Sequence, residues 1–267
     1  MRRPAAAASV ALLCLATAAC GGSKHASTNA ATTARSAPAA VRDAVHKTVK
    51  AGSEHLSISA TAVTGGQTVK LAGSGDFDSA DRRGKLHATV ALGGVQTSID
   101  EVLDGTTAYA SSPMLTALLP AGKSWLKIDL SSAGKALGID TSVLAAQNPA
   151  VALEQLQALK GVHEVGSATI DGVQTTHYRG TIDASKLPRG SAAAIAQAGG
   201  RLGPLDVWVG SDGYVRRERI TTSGGGQGAK TTVTTTLSQF GESTQVSVPA
   251  AKETVDASKV SLPGIGG

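Results

Sequence analysis

Apolar and polar residues alternate along much of this chain, with the period of two that is typical of half-buried β-strands. Glycine pairs and the pair Asp104-Gly105 separate the alternating segments, and such pairs favour tight turns. Gly73 and Gly75, inside the second segment, indicate the bend or close approach that a curved sheet needs. The first part of the chain therefore predicts an antiparallel meander with one apolar face, built from segments 56–62, 69–77, 86–92, 95–103 and 106–111.

Helical spacing of apolar residues interrupts this alternation. Val41, Ala44, Val45 and Thr48 predict an amphipathic helix that starts at Pro38 and ends at Gly52. The middle third predicts short helices around one strand at 124–130, and we expect them to bury their leucines against the sheet. The predicted segments are 113–119, 131–137, 140–146 and 148–159, with a further alanine-rich helix at 191–198.

Strands resume after the middle third, at 163–170, 173–182, 205–209, 214–222 and 230–240. The order helix, strands, helices, strands contains no βαβ alternation, so it predicts an α+β fold. We expect one domain over residues 38–250, in which two meandering half-sheets join. Residues 251–267 have no clear pattern and are predicted to form a flexible tail.

The N-terminal residues have the features of a bacterial export signal. Two arginines precede an apolar run that is too short to span a bilayer, which predicts a signal peptide at residues 1–19. Ala18 and Ala19 before Cys20 resemble the lipobox of bacterial lipoproteins, although Thr17 stands where that pattern prefers Leu. We therefore expect acylated Cys20 to anchor the protein in the outer face of the cytoplasmic membrane, with residues 20–37 as a disordered tether. A secreted, unlipidated product is the alternative.

Composition narrows the function further. The chain has 267 residues and a formal charge of +5, which falls to +3 without Arg2 and Arg3. The charges look scattered along the sequence and predict an ordinary solvated surface, and we expect no nucleic-acid partner. Cys14 and Cys20 are the two cysteines, so the domain holds no disulfide. Aromatic residues make up 3% of the chain, and a core of small aliphatic side chains favours an internal void.

No enzymatic motif is complete. Gly122-Lys123-Ser124 lacks the first glycine of a P-loop, and Ser132 with Lys135 lacks the companion motifs of penicillin-recognising enzymes. The histidines do not fall at metal-ligand spacing, and Asp100-Glu101 is interpreted as a solvated pair near a turn. We therefore expect no enzyme, no cofactor and no metal.

Two hairpin sequences carry a resemblance to a known family. They are GSATIDGVQTTHYRGTID at 166–183 and LDVWVGSDGYVRR at 205–217. Together with the lipobox and tether, they resemble the LppX/LprG type (LppX_LprAFG) of actinobacterial envelope lipoprotein. The resemblance implies a fold similar to the LolA and LolB carriers: an unclosed, curved antiparallel half-barrel with helices across its concave face. It also implies that a lipid or lipidated glycan binds in an apolar cavity and is carried within the cell envelope.

The lining of such a cavity is expected to be aliphatic. The candidates are Leu71, Val90 and Ile99 from strands, Trp208 as a wall, and Met114, Leu115, Leu118, Leu119, Leu137, Val143, Leu144, Leu153 and Leu156 from helices. An alternative is that these residues only pack helix on sheet, and that Trp208 is a core anchor. The protein would then be an envelope interaction or sensor lipoprotein with a filled groove and no lipid cargo. We expect a monomer whose partners are the membrane, a lipid or glycolipid ligand and an envelope transporter.

Overall fold

In this computed structural model the described residues are 35–130, 153, 156–186, 200–224 and 230–260. The predicted signal peptide, Cys20 and most of the tether lie outside them, as do the predicted helices at 131–137, 140–146 and 191–198. The described helices are α1 (Ala37–Ala51) and α2 (Pro113–Thr116). Short 3-10 turns lie at Leu156–Ala158, Ala184–Lys186, Ala251–Glu253 and Ala257–Lys259.

The described residues form one sheet of twelve strands, in the order β12-β6-β5-β4-β3-β2-β1-β11-β10-β9-β8-β7. The pairs are antiparallel except that β12 runs parallel to β6. Because β12 and β7 are the two edges, the sheet is unclosed. Helices and a mainly antiparallel sheet occur together, which confirms the predicted α+β class. The strands are β1 (Ser53–Thr64), β2 (Gln67–Asp78), β3 (Arg83–Leu92), β4 (Val95–Asp104), β5 (Thr107–Ser111), β6 (Trp125–Asp129), β7 (Leu159–Ile170), β8 (Val173–Ile182), β9 (Gly200–Gly210), β10 (Val215–Gly224), β11 (Lys230–Ser238) and β12 (Thr254–Asp256).

One antiparallel pair joins the two meanders. β1 pairs with β11 over nine residues, from His55 opposite Ser238 to Val63 opposite Lys230. Strand β1 therefore lies beside β11, the last long strand of the chain. Strands β2–β6 and β7–β10 extend from this central pair in opposite directions.

Helix α1 covers one part of the sheet. Pro38 stands in its first turn, and Gly52 ends it in the left-handed conformation with φ of 83°. Its buried stripe contacts β7, β9 and β10. The core of the described residues lies there, under Val41, Ala44 and Val45, and its other members are Leu153, Leu156, Ala158, Ile182, Leu205, Val207, Val215 and Leu237.

Strand alternation divides the side chains of the sheet between two faces. The face that packs against α1, which carries Leu205, Val207 and Leu237, is called the inner face. The outer face carries the neighbouring residues of opposite parity, such as Asp206 and Trp208.

Among the boundaries that differ from the sequence prediction, two change the kind of structure expected. The strand expected from residue 163 already begins at Leu159, where a helix was predicted to end, because the helical turn stops at Ala158. Residues 251–267 were predicted to be a flexible tail, yet Thr254–Asp256 pair with Trp125–Lys127 as the edge strand β12. Within the described residues, no helix has the length and apolar character needed to cross a membrane.

Candidate functional site

The inner face of β1–β4 is aliphatic. Leu71 lies between Ala60 and Val90 in the pairing register, and Ile99 lies opposite Ala88. We call Ile58, Ala60, Leu71, Val90 and Ile99 the inner aliphatic surface; all are half-buried. The structure thus brings together the three predicted strand residues, Leu71, Val90 and Ile99, on one face.

A glycine lies in the middle of this surface. Gly73 lies between Ile58 and Ala88, so the row has no side chain at its centre. A Cβ added at Gly73 would lie 2.6 Å from the His87 carbonyl oxygen and 2.8 Å from Ala88 Cβ. Because Gly73 has no side chain, β2 and β3 can approach closely, and no side chain fills the inner face at this position.

The predicted helical residues divide into two groups. Met114 and Leu118 are 71% and 53% exposed, on and just after α2, while Leu115 and Leu119 are half-buried. In contrast, Leu153 and Leu156 are buried in the core beneath α1. Leu137, Val143 and Leu144 lie outside the described residues.

Trp208 does not lie with the other predicted residues. It belongs to the outer face of β9, where its ring stacks on His177 at 4.2 Å between centroids. The guanidinium of Arg219 lies 5.2 Å from the Trp208 ring centroid. The structure therefore places Trp208 in a cationic cluster, on the side of the sheet away from Leu71, Val90 and Ile99.

Carboxyl groups also lie on the inner face. Burial, and then repulsion by Asp78, raises the pKa of Glu54 to about 7, and burial raises that of Glu218 to about 7. Burial raises the pKa of Glu101 as well. Glu101 was interpreted as solvated near a turn, but it lies inside β4 between Leu86 and Ala110. Its parity with Ile99 and Leu103 was the available signal in the sequence.

A pocket of about 290 Å³ lies on the outer face, not on the inner one. Two histidine–aspartate pairs line it: His55 Nδ1 lies 2.7 Å from Asp76, and His87 Nδ1 lies 2.6 Å from Asp100. The hydrogen bond from His55, with help from Lys85, lowers the pKa of Asp76 against the opposing effect of burial. The other lining residues are Ser74, Gly75, Lys85, Leu86, Glu101, Val102 and Trp125.

A second polar cluster surrounds Asp206 on the outer face. The Asp206 carboxylate accepts from His177 Nε2 at 2.7 Å, Arg179 Nε at 2.8 Å and Arg219 Nη2 at 3.0 Å. Burial alone would raise the pKa of Asp206, but these hydrogen bonds outweigh it and lower the pKa. The carboxylate is therefore held ionised beneath three basic side chains.

Among the described residues, no group of three or more His, Cys, Asp or Glu side chains could hold a metal ion. The inner aliphatic surface can exclude water from an apolar ligand, and that effect needs no reactive group.

Comparisons with known proteins agree with this architecture. LprF from Mycobacterium bovis superposes with a TM-score of 0.51 at 17% sequence identity, over 80% of this chain and 97% of LprF. LppX from Mycobacterium tuberculosis gives a TM-score of 0.50 at 19% identity, over 79% of this chain and all of LppX. At such identities the likeness shows the fold.

Sequence comparison identifies a relative and a family. An uncharacterized 31.2 kDa protein of Streptomyces griseus, encoded in the rplA-rplJ intergenic region, is 28% identical over 163 residues. The match covers 55% of this chain, and the chain spans about half (53%) of that protein. The profile of the LppX_LprAFG lipoprotein family matches residues 36–246, which confirms the resemblance predicted from the two hairpins. Because this match covers most of its length, the chain belongs to the LppX_LprAFG lipoprotein family of the cell envelope.

Proposed function

We propose that this protein is a membrane-anchored lipoprotein that binds a lipid or lipidated glycan on the inner face of its sheet and carries it within the cell envelope. It is not an enzyme in this proposal. Membership of the LppX_LprAFG family supports a lipid-binding role, and the inner aliphatic surface supports the location.

The observation that carries the proposal is the difference between the two halves of the inner face. Helix α1 contacts β7, β9 and β10, and beneath it the inner side chains of Leu205, Val207 and Val215 are at most 4% exposed. On β1–β4 the side chains of the inner aliphatic surface are only half-buried, and Gly73 places no side chain between Ile58 and Ala88. An acyl chain laid there would gain roughly 25 cal/mol for each Å² of apolar surface removed from water.

Exposed apolar side chains border this half of the sheet. Leu92 and Val95, which pair across the β3–β4 turn on the inner face, are 46% and 72% exposed. Met114 in α2 and Leu118 just after it are also exposed, and α2 contacts β4. Such side chains suit the entrance through which a lipid leaves a bilayer.

The anchor is part of the proposal. A diacylglycerol group on Cys20 would tie the domain to the cytoplasmic membrane, because two or more acyl chains hold far more firmly than one. Residues 20–37, as a flexible tether, would allow a separation on the order of 20–25 Å from the bilayer. The ligand-binding face would then stay within reach of the membrane that supplies the lipid.

Native mass spectrometry of residues 21–267, followed by solvent extraction, tests the proposal. We expect a bound lipid to appear as added mass and to be recovered in the organic phase. Repeated absence of lipid, together with no uptake of fluorescent fatty acyl probes, would contradict lipid binding. That outcome would favour an interaction or sensor lipoprotein with a filled groove.

A further inference from the structure

The outer face differs in charge between its two halves. Over β2–β5, acidic side chains are matched by basic ones, as in the pairs Arg83–Asp104 at 2.8 Å and Lys85–Asp76 at 3.0 Å. Over β8–β10, two arginines pair with the carboxylate of Asp206, and a third, Arg217, lies opposite the neighbouring Trp208. We call Arg179, Arg217 and Arg219, with His177 and Trp208, the outer basic patch.

Pairing register brings these arginines together from distant parts of the sequence. Arg179 on β8 and Arg219 on β10 flank Asp206 directly, and His177 and Arg217 flank Trp208 one outer-face position further along. Since neighbouring strands lie about 4.8 Å apart, the guanidinium groups are spread over a distance on the order of 10 Å. That spacing suits several phosphate groups better than one.

Each of the three arginines has N–H groups that none of the hydrogen bonds described here uses. Arg179 gives only its Nε to Asp206, and Arg219 gives Nε and Nη2. Arg217 gives Nε to the Thr236 hydroxyl at 3.0 Å, and among the described residues it pairs with no carboxylate. The side chains of Arg179 and Arg219 are 39% and 41% exposed, so their remaining N–H groups are accessible from solvent.

The outer basic patch is ordered before any ligand arrives. The Asp206 side chain is 6% exposed and fixes Arg179 and Arg219, while stacking with Trp208 fixes His177. A cation that is already held in place loses little conformational entropy on binding an anion. The three arginines carry two positive charges more than Asp206 neutralises.

We propose that the outer basic patch docks this domain on a bilayer surface that contains anionic phospholipids, with the free guanidinium N–H groups donating to lipid phosphates. Charge complementarity favours this occupant, because a guanidinium group can donate two parallel N–H hydrogen bonds to the oxygens of one phosphate. The adjoining β11 presents Thr232, Thr234 and Thr236 on the same face, and these short side chains leave it flat enough for a membrane. The docking uses the face opposite the inner aliphatic surface, so it would persist without any bound lipid, and lipid uptake from the bilayer would occur while the tethered domain is undocked.

Vesicle co-sedimentation tests the docking. Residues 21–267 are mixed with phosphatidylcholine vesicles, or with vesicles in which phosphatidylglycerol replaces part of the phosphatidylcholine. The chain is suitable because residues 35–267 form a compact unit of their own. We expect binding to the anionic vesicles alone, and we expect added salt to weaken it.

Substitutions locate the docking surface. Arg217→Gln should weaken partition about fivefold, and Arg217→Lys should restore most of it. Lys70→Gln is the matched control: it removes the same charge from an exposed outer-face position on β2, and partition should change by less than about twofold. Thermal melting shows whether each variant is folded.

Three results would overturn the docking: equal binding to both kinds of vesicle, equal loss in Arg217→Gln and Lys70→Gln, or full displacement from anionic vesicles by dextran sulfate of equal charge. The last result would assign the patch to a soluble polyanion instead. Lipid extraction from the same samples reports on the groove separately, so failure of the docking and failure of groove binding are distinguishable.

Discussion

Glu54 lies on the inner face where water hardly reaches it, since the residue is 2% exposed. Its Oε1 atom has no hydrogen-bond partner among the described residues. Phe77 lies directly opposite on β2. A carboxyl group in such surroundings costs less when it is protonated, which explains why its pKa rises from 4.5 to about 7.

This burial predicts a pH-dependent stability. Below pH 4.5 the side chain of Glu54 is protonated in both the folded and the unfolded chain. Between pH 4.5 and 7 the unfolded chain releases the proton first, so the free energy of unfolding falls as pH rises. Glu54→Gln cannot ionise, and its free energy of unfolding should fall by about 3 kcal/mol less over this range.

Urea unfolding at pH 4.5 and pH 8 measures the difference between wild type and Glu54→Gln. Glu164→Gln, at an exposed glutamate on β7, serves as the control and should follow the wild type. Parallel pH dependence in Glu54→Gln and wild type would contradict a raised pKa at Glu54.

At the residue scale, alternation along a strand predicted which face of the sheet a side chain lies on, but not which side chains it would contact on neighbouring strands. Leu71, Val90 and Ile99 share a face because strand parity is readable from the sequence. The same parity separates Trp208 from Leu205 and Val207, so its outer position was readable too. The partners of Asp206 were not, because His177 and Arg179 stand 29 and 27 residues away and meet it only through the register of β8 and β9.

Helix α1 is attached to the sheet by a hydrogen bond as well as by apolar packing. The Thr48 hydroxyl donates to the Ala44 carbonyl at 2.8 Å and accepts from the Val215 N–H at 2.9 Å. Thr48 and Val215 are both fully buried. The start of β10 therefore depends on α1 for one backbone hydrogen bond.

Thr48→Val tests this attachment. The substitution keeps the shape of the side chain but leaves the Val215 N–H without a partner, which should cost about 1–3 kcal/mol of stability. Amide hydrogen exchange at Val215 should become faster. Thr48→Ser retains the hydroxyl, so it should lose a buried methyl group yet keep Val215 protected. Unchanged protection of Val215 in Thr48→Val would show that the hydrogen bond does not hold the helix.

At the element scale, long amphipathic segments were predictable and short ones were not. The 3.6-residue period of Val41, Ala44 and Val45 identified α1, and turn glycines separated β1 to β5. Strand β12 has three residues and a parallel partner, β6, far away in the sequence, so alternation could not identify it. The pairing of β1 with β11 likewise depends on the whole chain, although its two halves were each predicted.

At the scale of the whole sheet, as far as the described residues show it, the inner face is largely apolar and the outer face largely polar, and each is uneven. On the inner face, α1 covers Leu205, Val207 and Val215, whereas the inner aliphatic surface on β1–β4 is only half-buried. On the outer face, acidic and basic side chains pair with each other over β2–β5, whereas basic side chains are in excess over β8–β10. The sequence made the charges look scattered, since Arg179 and Arg217 become neighbours only when β8, β9 and β10 pair.

The central claim is that the inner face of β1–β4 binds acyl chains, and uptake of a fluorescent fatty acyl probe by matched variants tests it most directly. Leu71→Asp places a charge on the inner aliphatic surface, whereas Ala72→Asp places the same charge on the outer face one residue away. Probe affinity should fall at least about tenfold in Leu71→Asp, because the probe would bury a carboxylate, and should stay near the wild-type value in Ala72→Asp. Equal affinities in the two variants, or no uptake by the wild type, would contradict the claim.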